Sequence, residues 1–170
     1  MRNKTSGADT DLTSNKWNEI QAIVLFAVAM LVLISLASFT FSDMGVFTSK
    51  PNVPVRNFAG VFGVYVGAAL FFIMGLSSYV IPLLILSWAV ARLFSVTPQK
   101  IYFKIFGTFF LILASSSIFS MLGGADNTFR FSLGGVVGLV FSDFLSTYLG
   151  RGGAVLVIAV LFMLSLLLAT

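Results

Sequence analysis

Cysteine and histidine are both absent from these 170 residues. Disulfides and thiol chemistry are therefore excluded, and the commonest nitrogen and sulfur ligands for metals are missing. Charge is scarce: only 9% of residues are Asp, Glu, Lys or Arg, against about 25% in a soluble domain. The six acids are dispersed and no two share a helix face, which leaves general acid–base chemistry without a pair of carboxylates. No Gly-x-x-x-x-Gly-Lys-Ser/Thr loop occurs, so ATP hydrolysis at a phosphate loop is excluded. The chain reads as a non-enzyme with no cofactor and no metal. Basic residues interleaved with aromatics, as a nucleic-acid groove requires, are absent too, and no direct nucleic-acid contact is expected.

Apolar sequence fills the space that charge leaves. Hydrophobic residues make up 58% of the chain and mean hydropathy is +1.04. This composition belongs to an integral membrane protein. The ten Lys and Arg stand singly at the ends of apolar runs, where they meet lipid headgroups rather than nucleic acid. The bilayer is thus the first partner implied.

The stretch 57–92 organises the rest. It holds almost no charge between Asn57 and Arg92, yet it is too long for one upright span of ~20 residues. A break is expected at Gly75 and the adjoining Ser77 and Ser78. Glycines at 60, 63 and 75 recur 75 residues on, at 135, 138 and 150, which marks an internal repeat. The expected fold is all-α, with four transmembrane helices in two repeated units. Spans are placed at 20–41, 76–94, 101–122 and 152–170. A Gly-rich re-entrant or interfacial helix, at 58–74 and at 131–149, precedes the second span of each unit. Residues 1–19 are read as a flexible cytoplasmic tail and 20–170 as the membrane domain. The polar start does not read as a cleaved signal peptide, so the first span is a retained anchor.

Within this frame, Asn57 stands at a helix N-cap position. Gly60, Gly63 and Gly67 fall on one helical face, and Gly134, Gly138 and Ser142 make a matching small-residue stripe. Such stripes let helices approach closely, either in another copy or, as favoured here, in the same chain. Gly150 is expected to break the second unit and Pro82 to kink the second span. Ser115, Ser116, Ser117 and Ser120 can bond to carbonyls one turn back or bridge to a neighbouring helix. Asp143 is placed on a polar side facing water.

The order Asn57-x-x-Gly60-x-x-Gly63, then Gly75 with Tyr79-x-x-Pro82 and an apolar run, then Gly134-Gly135-x-x-Gly138 with Gly150 and another run, resembles the N-terminal four-helix membrane domain of the FtsK/SpoIIIE family of bacterial DNA translocases. The resemblance covers roughly residues 17–170. It implies an inner-membrane anchoring and assembly domain of a septal translocase in cell division and chromosome partition. It also implies that the ATPase motor lies elsewhere, and that the partners are copies of the chain itself, as a homo-oligomer, and other division proteins.

Four spans put both termini on one side. Arg2, Lys4, Lys16, Arg92, Lys100 and Lys104 gather there, against Lys50, Arg56, Arg130 and Arg151 opposite. The acid-free loop carrying Arg92, Lys100 and Lys104 makes that side cytoplasmic. An apolar run reaching Thr170 is read as part of something that continues. A small repeat-built transporter or channel is the alternative reading, since repeats and broken helices mark transporters. The scarcity of intramembrane ionisable groups stands against it.

Overall fold

The structure is a computed structural model and describes residues 5–46, 48–94 and 101–169. Among them the chain is helical and contains no strand. Helices α1 (Thr5–Ala37), α2 (Gly60–Met74), α3 (Val80–Leu93), α4 (Ile101–Leu122) and α5 (Asn127–Ala169) follow in order, with 3-10 turns at Phe41–Asp43 and Gly75–Tyr79. Four stretches are long and apolar enough to cross a membrane: Lys16–Ala37, Gly60–Leu93, Tyr102–Leu122 and Asn127–Ala169.

Several expected boundaries move. Helix α1 starts at Thr5, where the sequence reading placed a flexible tail. Once the apolar part has paid the cost of nucleation, extension adds one bond per residue and carries even a polar stretch along. The same helix ends at Ala37, ahead of the expected limit at 41. Pro82 does not kink a span. It sits fully buried in the first turn of α3, directly after the 3-10 turn, where a missing N–H is tolerated. The expected helix 131–149 is interrupted at Gly135, so α5 consists of three pieces meeting at Gly135 and Gly150. Lys100, counted for topology, lies outside the described residues.

The two units pack as two hairpins. Helix α1 lies against α2 and α3, and α4 lies along α5. In the second hairpin Ala114, Leu145, Ala154 and Ile158 form a buried cluster. The hairpins meet where Leu84, Leu111 and Ala169 close on Phe162 and Val80, and the Trp88 indole N–H donates to the Ala169 carbonyl at 3.1 Å. Within the second hairpin, Gly107 lets α4 approach the end of α5, since a Cβ there would stand 2.6 Å from the Ala169 nitrogen.

The connection from α1 to α2 is held by one buried carboxylate. Asp43 accepts from Asn52 Nδ2 at 2.7 Å and from the backbone N–H groups of Arg56 and Asn57, each at 3.1 Å. These donors, Asn52 foremost, hold its carboxyl below the ordinary value of 3.8, because bonds to the charged form favour it. Asn57 is not the cap of α2, whose N-cap is Ala59. Instead, buried Asn57 donates to the Ser35 carbonyl at 2.8 Å and accepts from Ala59 N–H at 3.0 Å, tying the helix entry back to α1.

Asp43 has a depressed folded pKa, so its contribution is complete above 3.8 and is lost only as pH falls through the lower folded value. Order in this connection should therefore be constant from pH 8 down to about 5. Asp43→Asn removes an acceptor oxygen and should speed tryptic cleavage after Arg56 severalfold at neutral pH. An unchanged cleavage rate contradicts the assignment.

Candidate functional site

The repeat is written in the backbone. Among the described residues, five glycines have positive φ: Gly60 (64°), Gly75 (58°), Gly124 (69°), Gly135 (63°) and Gly150 (69°). Four of these are the two pairs related by 75 residues. Gly75, Gly135 and Gly150 combine that φ with ψ of −142°, −167° and 168°. This region is open essentially to glycine alone. Each unit thus carries a first glycine break, a helical piece of 15 residues (Gly60–Met74 in the first), and a second break that opens the spanning run. A 15-residue piece is about 22 Å long, too short for an upright crossing of ~30 Å. The 3-10 turn Gly75–Tyr79 and α3 together reach about 31 Å, which suffices.

The hairpins meet backbone to backbone at two of these breaks. A Cβ on Gly75 would stand 2.6 Å from the Ser132 carbonyl oxygen and 2.7 Å from the Gly135 nitrogen. A Cβ on Gly135 would collide with the Ile73 carbonyl and the Met74 nitrogen. Backbone lies against backbone here, and no side chain can yield. Phe72 and Phe131 seal one side edge to face, with centroids 5.8 Å apart.

Hydroxyls surround the joint. Ser77 and Ser116 share a hydrogen bond of 2.7 Å between hairpins, and both are fully buried. Ser142 donates to Ser120 at 3.2 Å between α5 and α4. Ser115 and Ser117 bond to carbonyls of their own helix. Ser78 Oγ, also buried, makes no hydrogen bond. Of the predicted stripe residues, Gly134 and Gly138 lie against Ser116 and Ser120 of α4. Gly63 is filled by Asn57 and Ala59, and Gly67 by the Phe39 ring, which stacks on Phe71 at 5.1 Å. These four serve packing within the chain. Gly60 does not: nothing lies within 4 Å of a Cβ there, and its role is the positive φ at the start of α2. Gly150 breaks α5 as expected, again in open space.

An ion pair spans the Gly135 break. The Arg130 guanidinium is paired with Asp143 and donates to Ser142 at 3.0 Å and to Asn127 at 3.2 Å. On a straight helix residues 13 apart would be about 20 Å distant. The contact exists because the break turns the first piece of α5 back over the second. Asp143 is half-exposed but not merely solvated, and Arg130 does more than mark a membrane face. Opposite charges flanking a Gly-Gly pair were the available signal for this contact.

The arrangement places no set of three or more potential metal ligands together among the described residues. It offers a rigid, backbone-to-backbone joint between two membrane hairpins. Residues 14–170 match the family model described as the 4TM region of DNA translocase FtsK/SpoIIIE. The chain belongs to that family. Among curated relatives, a DNA translocase FtsK from Pseudomonas syringae pv. syringae is 30% identical over 88% of this chain and 20% of its own length. One from Shewanella oneidensis is 28% identical over 80% of this chain and 15% of its own. One from Rickettsia prowazekii is 25% identical over 79% of this chain and 18% of its own. The chain therefore spans a fifth or less of these FtsK relatives. No solved structure matches it.

In this FtsK 4TM region the two hairpins abut backbone to backbone at Gly75 and Gly135. Gly75→Ala and Gly135→Ala each add a strained φ, at about 1–3 kcal/mol, and a backbone clash, at about 1–3 kcal/mol more. Both should sharply lower the unfolding midpoint in detergent. Gly45→Ala meets only ordinary contact at 3.9 Å and should change it by less than about 0.5 kcal/mol. Equal effects at the three positions would contradict the joint.

Proposed function

We propose that this chain is the membrane-anchoring and assembly domain of a septal DNA translocase, acting in cell division and chromosome segregation, with the ATPase motor outside these residues. The family match over residues 14–170 carries the reading. The geometry supports it. Most of the buried serines are hydrogen-bonded, the Ser77–Ser116 and Ser142–Ser120 pairs hold helices together, and Ser78 Oγ alone among the described buried side-chain nitrogen and oxygen atoms has no partner. A transport path needs such groups free to face a solute, which disfavours the transporter reading.

Both termini are cytoplasmic in this proposal, as an anchor for a cytoplasmic motor requires. Arg92 in the last turn of α3 and Lys104 in the first turn of α4 sit on the same side, in keeping with the excess of basic residues on cytoplasmic faces. Other division proteins and further copies of the chain are the partners in this reading. Neither ATP nor DNA is assigned to these residues.

Residues 1–170 fused to a fluorescent protein should gather at the septum of dividing cells without any motor. A uniform envelope signal would end the anchoring reading. The absence of cysteine gives a clean background for topology. Asn3→Cys and Arg92→Cys should be labelled only from the cytoplasmic side, and Lys50→Cys only from outside. Labelling of positions 3 and 92 from opposite faces would overturn the layout.

A further inference from the structure

The repeat relation carries Gly60 onto Gly135 and Gly75 onto Gly150. Inside the chain, the second break of unit one (Gly75) is docked on the first break of unit two (Gly135). A two-fold relation would dock Gly150 on Gly60 as well. It does not: Gly60 and Gly150 both meet nothing within 4 Å. The relation between units is therefore head to tail, and it leaves one unfilled half-joint at each end of the molecule.

We propose that these two half-joints are complementary, and that Gly150 of one copy docks on Gly60 of the next. The occupant is a second copy of this chain, because only a copy carries the matching half. Exposure alone would not point to it, since acyl chains cover any apolar face in a bilayer. The in-chain joint supplies the contact pattern. Where Gly75 abuts Leu133 and Gly135 abuts Ile73, the repeat substitutes Gly150 against Phe58 and Gly60 against Tyr148. Phe58 is 86% exposed and Tyr148 is 74% exposed, so the face is uncovered in the single chain. Both breaks already hold the positive φ of their docked counterparts, so no refolding is needed. A head-to-tail contact extends into a ring when its rotation closes, and parallel repeats turn about the membrane normal. The inference rests on the assembly reading above and names its surface.

The test is thiol cross-linking in native membranes. Chains carrying Phe58→Cys and chains carrying Tyr148→Cys, distinguished by tag size, are co-expressed and treated with a short bis-maleimide. Mixed dimers should exceed the self-dimers of either variant severalfold, and the double variant on one chain should give a ladder beyond the dimer. Phe58→Cys linking mainly to itself would show a two-fold face and overturn the proposal. Absence of mixed dimers, with each thiol still reactive toward a mono-maleimide, would also overturn it. Septal localisation of the fusion is a separate readout, so loss of the joint and loss of the anchoring role are distinguishable.

Discussion

Hydrocarbon cannot accept a hydrogen bond. A membrane helix that breaks must therefore have its freed amides and carbonyls covered by protein. The whole arrangement follows from how this chain meets that demand at Gly75 and Gly135. Both residues hold a φ and ψ that only glycine takes without strain, and both lack the Cβ that would keep the opposing backbone away. The same two atoms of difference from alanine thus create the break and permit its cover. Water plays no part in driving the hairpins together in lipid. Close van der Waals approach and a few internal hydrogen bonds do that work, and both are concentrated at this joint.

The two units solve the first break with different chemistry. In unit one, Asp43 gathers the N–H groups of Arg56 and Asn57, and Asn57 reaches back to α1. In unit two, Arg130 crosses the break to Asp143 and Ser142. Position 55 is Val and position 68 is Ala where unit two has Arg130 and Asp143, so the ion pair has no counterpart. The shared element is the glycine backbone. The polar fastenings around it have diverged, each matched to its own connection: a long one between α1 and α2, and a tight turn between α4 and α5.

Four spans, two units and the break at Gly75 were legible because they depend on run length, charge scarcity and an offset of 75 residues, all local or periodic features. The stripe Gly134, Gly138 and Ser142 was legible as a packing face for the same reason, and the structure gives it α4 as its partner. Gly135 as a break was not. The offset of 75 pairs Gly135 with Gly60, but Gly60 reads from sequence as part of a packing stripe, and only the backbone shows that its role is a positive φ. Pro82 was misread because the helix it begins is distinguished from the one before it only by a 3-10 turn, which has no composition of its own. The Arg130–Asp143 pair stayed hidden since a straight helix keeps those residues far apart; only the break makes them neighbours.

A repeat docked on itself in one place and not in the equivalent place has a directional character. Unit one presents its second break inward and its first break outward, and unit two does the reverse. Had the chain evolved as a closed pair, the two joints would be alike and each would bury its partner. Instead the backbones of Ile73 and Leu133 lie against the joint glycines, while Gly60 and Gly150 meet nothing within 4 Å and Phe58 and Tyr148 stand open. In the anchoring role proposed above, the membrane domain would hold position against the force of a motor outside these residues. A rigid joint made of backbone resists shear better than one made of rotatable side chains, because nothing in it can change rotamer. Extending that same joint from one copy to the next, as proposed, would give a motor a stiff base.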